Sequence, residues 1–159
     1  MNFMKKQTAG SGITFVAFVL SIAAIIVYFV NINSVGYFEN AAVPEAVLYN
    51  VIGIVLLAVI LVLSQLPLSG IVDKLLTIVS DIMRICAPVF FISALLRLVS
   101  SRVQGFAFIY FSNEEVLHEV QTAENMSSAH GTIANMVLLG VTAVAAMIAA
   151  FFSVKKVQK

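Results

Sequence analysis

Four stretches of the chain are almost continuously apolar, about residues 13–31, 45–65, 75–99 and 131–154, and polar or turn-forming residues divide them. A run of roughly 20 apolar residues matches the thickness of a bilayer's hydrocarbon core, so each stretch predicts a membrane-spanning helix. The pattern specifies an all-α integral membrane protein, a four-transmembrane-helix bundle in which residues 1–159 form a single membrane domain. Composition points the same way. The chain is 61% hydrophobic and 11% charged, whereas charged residues make up about a quarter of a soluble domain. Its first run follows Lys5 and Lys6, exceeds the length of a signal-peptide core and lacks a small-x-small cleavage pattern after it. It reads as an uncleaved span.

The connections predict a small extracytoplasmic cap built from outer segments at about 32–44 and 101–130. Pro44 and Glu45 suit the first turn of the second helix, and Gln65 to Gly70 makes a proline and glycine turn. In Gly105 to Phe111, Phe106, Phe108 and Tyr110 alternate with smaller residues. That spacing reads as a strand able to pair with Val35 to Phe38, and equally as an interfacial aromatic belt. Ser112 with Glu115 has the form of a capping box. It opens a short amphipathic helix, Glu114 to Gln121, with Val116, Leu117 and Val120 on one side. Thr122 or Ser127 then caps the last helix.

Net charge is only +1, yet the charges are partitioned. Lys5, Lys6, Lys74, Lys155, Lys156 and Lys159 fall on one side of the expected bundle, against Arg97 and Arg102 on the other. The positive-inside rule then predicts a multi-pass plasma (cell) membrane protein with both N- and C-termini cytoplasmic. No basic patch of the kind that binds nucleic acid occurs. The one cysteine, Cys86, lies inside a span and excludes an intrachain disulfide.

Only the third run carries charge in its interior. On a helix Asp73, Thr77, Ser80, Asp81, Arg84 and Pro88 share a stripe. Asp81 and Arg84 stand three apart and can meet, and Pro88 withholds an N–H from the carbonyl of residue 84. Charge in hydrocarbon costs roughly 2.5 to 3.5 kcal/mol per group on insertion scales, so the pair is expected to face inward. It reads as a self-neutralising packing pair, as part of a polar path, or as the counter-charge to a partner helix. Asn50 with Gly53, and Asn135, Thr142, Ala146, Ala150 and Ser153, form packing faces of small or hydrogen-bonding residues. Asn50 and Asn135 fall at similar depth, where a bond between them would join two helices. A weak internal duplication is suggested by Tyr37-Phe38 and Tyr110-Phe111, one pair in each half.

His118, Glu114, Glu115 and Glu119 share the polar side of the short helix, but one imidazole with acids fits no defined metal signature. The expectation there is a solvated face, with no metal and no cofactor. Phosphate-loop, zinc-protease and nucleophile-elbow motifs do not occur, so no enzyme is expected. Two function classes follow. The first is a non-enzymatic self-associating or accessory subunit of a membrane complex, its partners the lipid bilayer and either its own copies or another membrane protein. The second is a small-solute or ion transporter or channel protomer with Asp81 and Arg84 on its path.

Overall fold

A computed structural model describes residues 8–66 and 70–152. Five helices follow one another: α1 (Ala9–Ile32), α2 (Pro44–Gln65), α3 (Ile71–Phe111), α4 (Glu114–Val120) and α5 (Ala123–Ala150). All but α4 are long and apolar enough to cross a membrane. The protein is all-helical, with no strand among the described residues.

Around the bundle the order is α1, α2, α3, α5, each packed on the next and α5 closing against α1. Chain direction alternates around this ring, so α1 begins and α5 ends at the same end. Each of the four long helices buries one stripe built of steps of three and four residues. On α1 the stripe is Gly10, Thr14, Ala17, Ser21, Ala24, Tyr28 and Asn31; on α5 it is Ser128, Thr132, Asn135, Leu139, Thr142, Ala146 and Ala149. Average spacing near 3.5 keeps such a seam facing its partner along the whole helix, and the small side chains let the backbones approach. The hydroxyls of Thr14, Ser21 and Thr142 do not compete for partners, because each bonds a carbonyl three or four residues back in its own helix.

The core is layered. Ala17, Leu57, Ile60, Ala87, Phe91 and Ala146 form one layer; Ala24, Tyr28, Ala46, Ala94, Leu98 and Leu139 form the next; Phe38, Ile109 and Ala129 form a third, smaller one. Phe91 is wholly buried and fits because Gly53 faces it: a Cβ at that position would stand 2.6 Å from the ring.

Helix bounds depart from expectation most at the third layer. At 41 residues α3 runs 12 residues past the expected end, about 61 Å in all at 1.5 Å per residue, and α5 starts eight residues early. Residues 105–111 are therefore helix and form no strand pair with 35–38. Arg102, Gly105 and Ile109 continue the buried stripe of α3, and this helical period outweighs the two-residue alternation of the aromatics. The two segments do meet, as loop against helix. Phe38 lies edge-on to Phe106 with centroids 5.5 Å apart, and Tyr37 lies 5.8 Å from Phe108. What was expected as a separate cap consists of the continued ends of α3 and α5, joined by α4 and covered by the α1–α2 loop. Nor are the two Tyr-Phe pairs equivalent, since Tyr37-Phe38 is loop and Tyr110-Phe111 is helix.

Capping explains the other boundaries. Asn113, not Ser112, caps α4 by accepting from Val116 N–H at 3.0 Å, while the Ser112 hydroxyl bonds back to Phe108 O. Thr122 caps α5 by accepting from Asn125 N–H. Gly36 takes φ +146°, where its missing Cβ lets the loop lie against Glu124 O and Ser128.

Overpacking a filled core costs about 1–3 kcal/mol, so Gly53→Ala is expected to lower stability by about that much in reversible unfolding from detergent micelles. Phe91→Leu in the same chain should restore at least half of the loss, by removing the ring atoms that the new methyl strikes.

Candidate functional site

Helix α5 ends at Ala150, level with Arg84 on α3. Its last carbonyls lack the N–H four residues on, as at every helix C-terminus, and the closing turn puts Phe151 N–H on Ile148 O and Phe152 N–H on Ala149 O instead. The Arg84 guanidinium adds donors from the neighbouring helix: Nη2 donates to Ala149 O at 2.6 Å and also to Phe152 O. Nη1 donates to Asp81 Oδ1 at 3.1 Å. A planar fork of donors suits this convergence of acceptors, and a cation at a helix C-terminus is favoured by the helix dipole. Arg84 is buried, and the Ala87 and Pro88 that follow pack into the core beside it.

Asp81 does not face inward. Its side chain is 57% exposed, and Thr77 one turn earlier is exposed as well, with its hydroxyl turned back to Asp73 O. Ser80 is half-buried. The cause is length: α5 stops opposite Arg84, and among the described residues it covers nothing of the two preceding turns of α3. The expected polar stripe is thus divided, with Arg84 and Pro88 inside and Thr77 and Asp81 outside. The Arg84 guanidinium thus meets two backbone carbonyls on its buried side and one carboxylate oxygen on its exposed side.

A second buried arginine occupies the opposite end of α3. Arg102 is 4% exposed; its Nη2 donates to Ala41 O in the α1–α2 loop, and its guanidinium carbon stands 4.7 Å over the Phe38 ring. Nearby bonds fasten the same loop. Val43 N–H donates to Tyr28 Oη at 2.6 Å, Phe38 N–H to Ser128 Oγ at 3.1 Å, and Asn31 Nδ2 to Thr132 Oγ1 at 2.8 Å. Arg97 pairs with Glu45 at 3.0 Å on the surface, both side chains more than half exposed.

The sequence shows Arg102 only as one of two basic residues on the outer side and does not single out Tyr28, Asn31, Ser128 or Thr132. A signal for Arg102 was present. Positions 84, 91, 98 and 105 recur every seven residues, and Arg102 lies on the same seam, seven before Ile109.

Of the packing residues, Asn50, Gly53, Asn135, Thr142 and Ala146 are buried; Ala150 is only half-buried, because the seam steps three residues from Ala146 to Ala149. Ser153 lies outside the described residues. Asn50 and Asn135 do reach similar depth and line one crevice, but no bond joins them, and each Oδ1 lacks a partner. Glu114, His118 and Glu119 are exposed on α4 with Glu115. No group of three His, Cys, Asp or Glu placed to hold a metal occurs among the described residues. Cys86 is half-buried with a free thiol.

No known protein family, curated protein or solved structure matches the chain.

Hydrogen bonds to a charged partner are worth about 1.5–3 kcal/mol, and an exposed ion pair about 0–1 kcal/mol. Arg84→Ala is accordingly expected to destabilise the bundle by at least that first amount and to speed amide hydrogen exchange in the last turn of α5. Asp81→Asn should change neither by more than the second. At the other end, a double-mutant cycle of Arg102→Met with Phe38→Leu should give a coupling of about 0.5–2 kcal/mol, and additive losses would dissolve that contact.

Proposed function

We propose that the chain is a non-enzymatic integral membrane protein that works by association, as a self-associating or accessory subunit of a membrane complex. The observation that carries this reading is the engagement of Arg84 Nη2 by two backbone carbonyls at the end of α5, Ala149 O and Phe152 O. An arginine already engaged on two carbonyls serves to fix the bundle and leaves little to offer a passing solute. Support for the membrane setting comes from the outward faces. Phe15, Val19, Ile26 and Val30 on α1, Val51 and Val55 on α2, Ile85 and Val89 on α3, and Val137 and Val144 on α5 are exposed and apolar, as a lipid-facing surface requires.

The two buried arginines set a scale. From Arg84 to Arg102 α3 rises about 27 Å at 1.5 Å per residue, close to the roughly 30 Å of a hydrocarbon core. On this reading they stand near the two membrane surfaces, Asp81 and Thr77 reach the headgroup level, and the joined ends of α3 and α5 project beyond the opposite surface with their own small core. The lysine distribution puts both termini, and with them the Arg84 end, in the cytoplasm. It leaves the projecting end, with Tyr37, Phe111 and α4 at its surface, outside the cell as the surface for a partner. The plasma membrane is the setting that fits a chain of this kind.

A transporter protomer is the competing reading, and it requires Asp81 and Arg84 to share a solvated path. Their divergent burial counts against it.

Mass measured by native mass spectrometry from a mild detergent separates these readings. The expected result is a species heavier than the 17.1 kDa protomer, either an integer multiple or a complex with a second membrane protein. A lone protomer at the concentration found in the membrane would overturn association.

A further inference from the structure

Two carboxamides are buried at the centre of the bundle without a hydrogen-bond acceptor's due. Asn50 on α2 and Asn135 on α5 are 4% and 2% exposed, and neither Oδ1 has a partner. Both line a narrow crevice with Tyr28, and Ile25, Val47 and Leu139 supply apolar walls. Room for the centre of a water-sized molecule in it is about 10 Å³, close to the least that holds a single water. Tyr28 Oη already accepts from Val43 N–H, and its own proton is free to be donated. Leaving buried acceptors unpaired is costly, and costlier still where the surroundings are apolar.

We infer that this crevice is a binding site for one ordered water, which donates to Asn50 Oδ1 and Asn135 Oδ1 and accepts from the Tyr28 hydroxyl. Three bonds is the usual complement of a buried water. Water both donates and accepts, so alongside the Tyr28 hydroxyl it satisfies two inward oxygens, or one oxygen and one NH₂ group. A hard divalent cation fits poorly: such ions take six or more oxygen ligands, and this site offers three neutral oxygens and space for one small molecule. Helices α2 and α5 lie diagonally across the ring, each packed chiefly on α1 and α3. The water therefore supplies a polar tie between the pair whose backbones do not pack together, and Tyr28 brings α1 into it.

The test uses the full chain in lipid bilayers with labelled asparagine and solid-state NMR transfer of magnetisation from water protons to side-chain carboxamides. Asn50 and Asn135 signals are assigned by their loss in Asn50→Leu and Asn135→Leu. Transfer to both carboxamides is expected, at least twofold weaker in Tyr28→Phe, which keeps the ring and removes the hydroxyl. Absence of transfer to both, or a direct Asn50 to Asn135 contact without water, would overturn the site. If the leucine variants fail to fold, Asn50→Ser and Asn135→Ser supply the assignment, and Tyr28→Phe still decides: unchanged transfer in that variant excludes the three-bond arrangement.

Discussion

A helix that ends inside a bundle leaves carbonyls with spare lone pairs after its closing turn has formed, and in this protein an arginine from the adjacent helix adds donors to them. Arg84 joins α3 to the C-terminus of α5 through Ala149 O and Phe152 O. This contact fixes the sliding register of the two helices, because the guanidinium reaches those carbonyls at only one offset. It also fixes how much of α3 is covered. Residues before Arg84 extend past the end of α5, which is why Asp81 is exposed and Arg84 is not. The same physics recurs at the other end, where Arg102 reaches Ala41 O in a loop and lies over Phe38. Helix α3 is thereby held at two points along its length by arginine N–H groups donating to backbone oxygen.

Between these two points, packing depends on small residues and on polar groups that satisfy themselves. The hydroxyls of Thr14, Ser21 and Thr142 bond within their own helices, so they narrow the seam without demanding partners across it. Gly53 admits Phe91, and Asn31 reaches Thr132. In an apolar solvent helices gain little from burying apolar surface against one another, and association comes from close packing and interhelical hydrogen bonds. Both devices are present along the α1–α5 seam. The asparagines at the centre depart from this economy, because Asn50 and Asn135 carry acceptors that neighbouring side chains do not meet.

Much of this architecture was legible in the sequence. Four apolar runs gave the four long helices to within a few residues at most of their ends, since apolar length and helical period pointed the same way there. Pro44 at the start of α2 and Thr122 at the start of α5 are local signals that kept their meaning. The region from 101 to 111 was misread because two periods coexist in it: aromatics alternate every second residue, while Arg102, Gly105 and Ile109 follow the helical seam. Local alternation cannot reveal that Phe38, distant in sequence, is placed to pack on Gly105. The i, i+3 spacing marks Asp81 as a partner of Arg84, and the two do meet; the carbonyls of Ala149 and Phe152 leave no mark in a sequence. Where α5 ends relative to α3 is a matter of tertiary register, and Asp81's exposure follows from that register alone.

The pinning of α3 can be tested most directly by a ¹⁵N–¹³C dipolar recoupling measurement in bilayers between the Arg84 guanidinium and the carbonyl carbon of Ala149. Strong dephasing is expected, corresponding to an N···O separation of 2.6 Å, and should persist when Asp81 is replaced by Asn. No dephasing in a folded bundle would contradict the account, because the end of α5 and the register of α3 would then have to be set by something else.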